Sequence, residues 1–262
     1  MTPRAAKKSR PRHAARHGAA GSIDVSFASG CVNATLRFPG SRAIITPAMA
    51  VRMLELFEYV EDDDAARMLA ITSAGSSFCV GFDDGVDPRL VESLAVLSKP
   101  TVAILNGDAF DEGLELAMAA DIRVAISSAH FAITHLKRGA MPHFGATQRL
   151  PRLIGAANAL RLILTGTALR ADDAMRMGLV TYLAESPPEL AATSGRVAEA
   201  ILTRAPLAAR LVKDAVLKGY DMTLEQGIRL EEDLYALLQT TTDRAEGVRA
   251  FLEKRKPLFR GA

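Results

Sequence analysis

Tryptophan is absent from this 262-residue chain, and aromatic residues make up only 5% of it. Single-stranded bases stack on aromatic side chains, so this scarcity argues against a single-strand nucleic-acid binder. Cysteine is nearly missing too: Cys31 and Cys79 cannot supply a disulfide framework or a cysteine-rich metal site at this length. No apolar run reaches the roughly 18 to 20 residues a membrane helix needs, and nothing resembles a secretory signal. A reducing, cytoplasmic setting and no membrane partner are the resulting expectations. Residues 1–20 lack acidic side chains and hold six lysines or arginines. The net charge of +2 therefore conceals a body with 26 basic and 30 acidic groups.

What is present is a globular composition, 49% hydrophobic and 24% charged, long enough for one large domain or two small ones. Residues 1–20 have two prolines, no large aliphatic residue after Met1 and no apolar period, and are expected to form a flexible basic arm outside the fold. Their arginine-rich character also fits an organelle-targeting segment or an electrostatic arm for nucleic acid. Ile23–Phe27 and Cys31–Phe38 alternate apolar and polar residues around Ser29-Gly30, which predicts a β-hairpin. Thr46-Pro47 supplies an N-cap and a first-turn proline for a helix over Ala48–Val60. Arg67–Thr72, Thr101–Leu105 and Asp121–Ile126 read as buried strands, with helices over Leu90–Leu97 and Gly113–Ala120 between them. After Gly145 helical patterns dominate: Gln148–Leu153, Asn158–Leu164, Ala171–Met177, Pro188–Leu202, Pro206–Lys218, Leu224–Leu238 and Arg244–Lys254, with one extended piece at Leu179–Tyr182. The pattern predicts stacked strand-helix layers, an α/β core at 21–200, and a helical region at 201–262.

Chemistry concentrates in three places. His130, His135 and His143 fall within fourteen residues, at spacings that do not make helical metal pairs, so no metal site is expected. Glu115 lies between Leu114 and Leu116 on a predicted apolar helix, where burial raises a carboxyl pKa toward the range of a general acid or base. Ser77–Asp83 (SFCVGFD) is a glycine-containing turn after a buried strand, able to project backbone N–H groups toward a carbonyl oxygen.

In order, the segments SFCVGFD (77–83), NGDAFDEGLELAMAAD (106–121), GATQRL (145–150), LTGTALRADDAMRMGLV (164–180) and DRAEGVRAFLEKRKPLF (243–259) resemble the enoyl-CoA hydratase/isomerase, or crotonase, superfamily. The resemblance covers about residues 23–260. It implies a right-handed spiral of ββα units, a helical C-terminal region that builds a homotrimer or dimer of trimers, and an acyl-CoA thioester as substrate, with coenzyme A its only cofactor-like group. Residue by residue, it places the oxyanion-hole N–H groups at Phe82 and Glu112, the first hydratase glutamate at Glu115, and histidine at His135 where hydratases carry their second glutamate. His143 falls where a related dienoyl-CoA isomerase branch has an acid. Arg42, Phe251 and Lys254 fall where relatives contact coenzyme A. The family's Gly-Gly-Gly is Asp111-Glu112-Gly113 here, which adds two carboxylates beside a hole meant for negative charge.

The expected activity is hydration of a 2-enoyl-CoA to a 3-hydroxyacyl-CoA through a thioester enolate, with Glu115 and His135 as acid and base. Isomerisation, hydrolysis and decarboxylation share that enolate, and a CoA-binding protein without turnover is the other class. Few aromatics and an acidic body argue against RNA as a partner.

Overall fold

The computed structural model describes residues 21–40 and 42–262, so the basic arm predicted at 1–20 lies outside the described residues. Strands β1 (Ser22–Ala28) and β2 (Cys31–Arg37) form the predicted hairpin. Its two turn residues both have positive φ, Ser29 at 50° and Gly30 at 92°. That twist matches the flanking strands and fixes the register Ala28↔Cys31. After the short strand β3 (Ile44–Ile45), Thr46 caps helix α1 (Pro47–Asp62) by accepting from the Met49 N–H at 3.3 Å. Met49, Met53, Leu56 and Val60 form its buried stripe.

Three layers then repeat one plan. The first is β4 (Met68–Ser73), β5 (Ser77–Cys79), β6 (Gly81–Phe82) and α2 (Arg89–Ala95). The second is β7 (Thr101–Leu105), β8 (Asp108–Phe110) and α3 (Glu112–Ala119). The third is β9 (Ile122–Ile126), β10 (His130–Ala132), a 3-10 turn (His135–Arg138), α4 (Ala146–Ile154) and α5 (Ala156–Thr165). β11 (Leu169–Arg170), α6 (Ala171–Met177), β12 (Tyr182–Ala184) and α7 (Pro187–Leu202) close the core. Helices α8 (Pro206–Gly219), α9 (Leu224–Gln239) and α10 (Thr242–Leu252) follow.

Each layer gives its first long strand to a six-stranded sheet, order β1-β2-β4-β7-β9-β12, in which only the hairpin is antiparallel. Short strands form a second sheet, β11-β10-β8-β5, and β3 pairs with β6. The expected extended piece at 179–182 begins later: Leu179 and Val180 are buried next to the α6 stop at Gly178, and pairing starts at Tyr182. The layers approach too closely for any side chain at two glycines. A Cβ on Gly107 would lie 1.9 Å from the Ser76 carbonyl oxygen, and one on Gly113 would lie 2.0 Å from that of Cys79.

Buried charges lock the layers at their edges. The Lys99 ammonium donates to the carbonyls of Val60 (2.6 Å) and Asp63 (2.7 Å), the C-terminal end of α1, where a cation is favoured. Arg123 donates to Leu179 O and Ala120 O, and its burial pulls the guanidinium down to about 10. Helices α8 and α9 differ from the rest, having no buried residue and exposing Val212, Val216, Ile228 and Tyr235.

Candidate active site

The second sheet builds the site. β8 and β10 are parallel with Phe110 opposite Ala132, so the residues that leave the two strands, Asp111-Glu112 and Thr134-His135, emerge side by side. Asp111 takes an uncommon conformation for a side-chain-bearing residue, φ 48° and ψ −122°. It is held there by its own N–H on Ala132 O at 2.8 Å and by a carboxylate that accepts from the Thr134 N–H, the Thr134 hydroxyl (2.7 Å) and Arg138 (3.0 Å). Strain of this kind costs roughly 1–3 kcal/mol and persists only where the surroundings dictate it.

His135 is 2% exposed and lies between two carboxylates. Its Nε2 is 2.9 Å from Glu112 Oε1, and its Nδ1 is 3.2 Å from Asp111 Oδ1 at an angle that does not complete a hydrogen bond. Burial alone would lower its pKa, but the two carboxylates overcome this and raise it to about 9, so the ring is an imidazolium at neutral pH. The reciprocal effects hold the carboxyls down against burial: for Asp111 the adjacent His135 ring and the Thr134 hydrogen bonds outweigh it, and for Glu112 the His135 bond and its own backbone N–H do so. The charge that Asp111 and Glu112 bring to the glycine-triplet position is thus met by His135 and Arg138.

Glu115, one turn along α3, has the opposite environment. It is fully buried, and its Oε1 accepts the N–H groups of Phe144 (3.0 Å) and Ala146 (2.8 Å). Its Oε2 has no hydrogen-bond partner among the described residues. Burial raises its pKa, the nearby Glu112 charge adds to the rise, and the two amides and His135 only partly oppose it. The arrangement leaves Oε2 as the oxygen available to exchange a proton, because Oε1 is already engaged by two donors.

Phe82, at the end of β6, stacks edge-on against Phe144 at 5.2 Å, which sets the β6 turn beside the segment that grips Glu115. A Cβ on Gly81 would stand 3.4 Å from Glu112 Oε2, so the Glu112 carboxylate lies over the β6 turn. The end of β6 and the first turn of α3 are therefore neighbours, Phe82 standing at a strand end and Glu112 at a helix N-terminus.

A cavity of about 720 Å³ opens beside Phe144 between α2, α4 and α8. Val91, Ala95, Leu153 and Val216 give it apolar walls, while His143, Gln148 and Arg149 are polar. His143 is exposed and stacks on Phe144 at 4.3 Å. The three histidines do not form one group, since His130 faces Asp108 at 3.3 Å on β10. Arg42 is exposed beside β3, and a 240 Å³ pocket lies next to it between the β2–β3 and β4–β5 loops. Phe251 and Lys254 are exposed at the end of α10. Sequence reasoning missed Thr134 and Arg138 as holders of Asp111, and Arg149, which ties Phe144 O (2.8 Å) to Glu92 (2.7 Å). The one signal was the basic run His135–Arg138 ahead of a glycine.

The family described as enoyl-CoA hydratase/isomerase matches residues 26–262. The chain is similar to (E)-benzylidenesuccinyl-CoA hydratase of Thauera aromatica, 37% identical over 243 residues, 87% of this chain and 94% of the relative. Crotonyl-CoA hydratase of Syntrophomonas wolfei is 37% identical over 216 residues, 76% of this chain and 83% of the relative. The crystal structure of an enoyl-CoA hydratase from Bacillus anthracis superposes with a TM-score of 0.88 at 31% identity, covering 92% of this chain and 99% of that one. With the layered fold, the match along nearly its whole length and these relatives, the chain belongs to the enoyl-CoA hydratase/isomerase superfamily.

Proposed function

We propose that the protein hydrates a 2-enoyl-CoA to the 3-hydroxyacyl-CoA. The backbone N–H groups of Phe82 and Glu112 receive the thioester oxygen as it gains enolate charge, a role in which each preorganised donor is typically worth about 100- to 1000-fold in rate. Glu115 moves the proton at the α-carbon. His135 serves the opposite side, where water is activated, and His143 is a further polar group at the cavity mouth. Arg42, Phe251 and Lys254 are the candidates for coenzyme A contacts, and the exposed apolar faces of α8 and α9 suit a homotrimer or a dimer of trimers.

The observation that carries this reading is Glu115, an acid buried on a helix whose first turn flanks the β6 end, with one oxygen gripped by amides and the other unpartnered. Hydratases among the relatives support hydration over isomerisation, hydrolysis or decarboxylation. A CoA-binding protein without turnover draws on one observation, the Glu112 carboxylate lying against its own amide.

Mass spectrometry of products from short, medium and aromatic enoyl-CoA and malonyl-type thioesters tests the reading, with Glu115→Gln run in parallel. A water adduct from the wild type, lost in the variant, is the expected result. Carbon dioxide loss, free acid or a product of unchanged mass would replace hydration with the corresponding enolate reaction. Coenzyme A binding with no turnover would replace it with the binding protein.

A further inference from the structure

The Glu112 side chain is not used in the scheme above, which draws only on its amide. Yet Glu112 and Glu115 are spaced i, i+3 on α3 and therefore share a face of that helix. They are close enough for the Glu112 charge to act on Glu115. His135, by contrast, commits Nε2 to Glu112, turns Nδ1 toward Asp111, and has a side chain only 3% exposed, so its ring is turned away from the space a water or a substrate atom would enter. The Glu112 side chain is 14% exposed, and its Oε2 points to the β6 turn while Oε1 stays with His135.

Resting on the proposed hydratase reading, we infer that the Glu112 carboxylate is a catalytic residue, the base that activates water, and that His135 is a positioning residue that aims it. Glu112 Oε2 takes a proton from water as the water oxygen bonds to the β-carbon. The electron pair of the double bond moves to the α-carbon and the thioester oxygen, and the Glu115 carboxyl then gives its proton to the α-carbon. Water has been added as H and OH, leaving Glu112 protonated and Glu115 ionised. Proton transfer between these two neighbours restores the starting state.

The environments fit these roles, since two carboxyls pushed in opposite directions separate into an acid and a base. The titratable and charged groups facing Glu112 are His135 across from β10, Asp111 before it, Glu115 after it on α3, and Cys79 beneath it on β5.

Steady-state kinetics of Glu112→Gln, Glu112→Asp and His135→Gln on a thioester that the wild type hydrates test the assignment, with thermal unfolding as a check on folding. Glu112→Gln is expected to lower kcat by roughly 100- to 10,000-fold with KM nearly unchanged, the usual range for loss of a general base. Glu112→Asp keeps the base but withdraws it, and is expected to retain more activity than Glu112→Gln. His135→Gln is expected to move the acidic limb of the kcat/KM profile upward, because Glu112 loses the charge that keeps it ionised; a purely structural role would leave that limb in place. Wild-type rates or faster in Glu112→Gln, with Glu115→Gln inactive, would overturn this inference alone and make the carboxylate an obstruction. A wild type that turns over no thioester would overturn the proposed function and this assignment with it.

Discussion

On one side of the site Glu115 is held by two backbone amides among apolar neighbours; on the other, Glu112 and Asp111 are held by a histidine and an arginine. Both sides stand on the same short helix, yet one pushes its carboxyl up and the other pushes its carboxyls down. Amide donors and burial make a side whose state depends on dryness, whereas the ionic side depends on a charge balance among four residues. The comparison teaches that the extra acids in the glycine triplet are not a defect in isolation. They arrive together with an imidazolium that a glutamate at position 135 could not have provided.

The largest effect should come from removing the floor under both sides. Gly113→Ala would drive a Cβ to 2.0 Å from Cys79 O, a clash with backbone that cannot swing aside. Overpacking of this kind costs about 3 kcal/mol or more, so loss of soluble folded protein, or a sharply lower urea midpoint, is expected. The next effect strikes the dry side alone. Glu115→Gln should reduce turnover by roughly 100- to 10,000-fold, measured as initial rate, while denaturant unfolding stays within about 1 kcal/mol of the wild type.

Breaking the ionic side should show mainly in stability. Asp111→Ala leaves His135 and Arg138 without their shared partner, a loss of about 3 kcal/mol by equilibrium unfolding. Asp111→Gly removes the same charge but relieves the positive φ, so it should be the more stable of the two variants by about 1 kcal/mol.

The smallest effect is the pH dependence. His135 has its pKa raised from 6.5 to about 9, so its contribution is fully present below the unfolded value and is lost as pH rises through about 9. Melting temperature should therefore fall between pH 6.5 and 9.5 in the wild type, and that slope should be absent from His135→Gln.

Much of this architecture was legible in the sequence because it is carried by local chemistry. Thr46-Pro47 marks the start of α1, Ser29-Gly30 the hairpin turn, and the long apolar runs at Met68–Ser73 and Thr101–Leu105 the central strands. The second sheet was not legible, since β5, β8, β10 and β11 are two or three residues long, too short to show an alternating pattern. Glu115 could be picked out because its neighbours are apolar in the chain itself. The bond between Glu112 and His135 could not, because the two residues are 23 positions apart and meet only through the β8–β10 register. For the same reason the question of which way Asp111 points had no answer until Thr134 and Arg138 were found beside it.

The close approach of Gly113 to Cys79 also turns the latter into a reporter. The Cys79 thiol is fully buried and pushed up to about 12, and the Cys31 thiol on β2 is pushed up to about 11 by the same burial. Neither supplies appreciable thiolate at neutral pH while its layer is closed, and the thiolate is the form that alkylating reagents attack. The rate at which each cysteine is labelled therefore reads the free energy of opening around it, one at the start of β2 in the long sheet and one packed against α3. A chain with only two thiols, one in each of these places, carries its own pair of clocks for local unfolding.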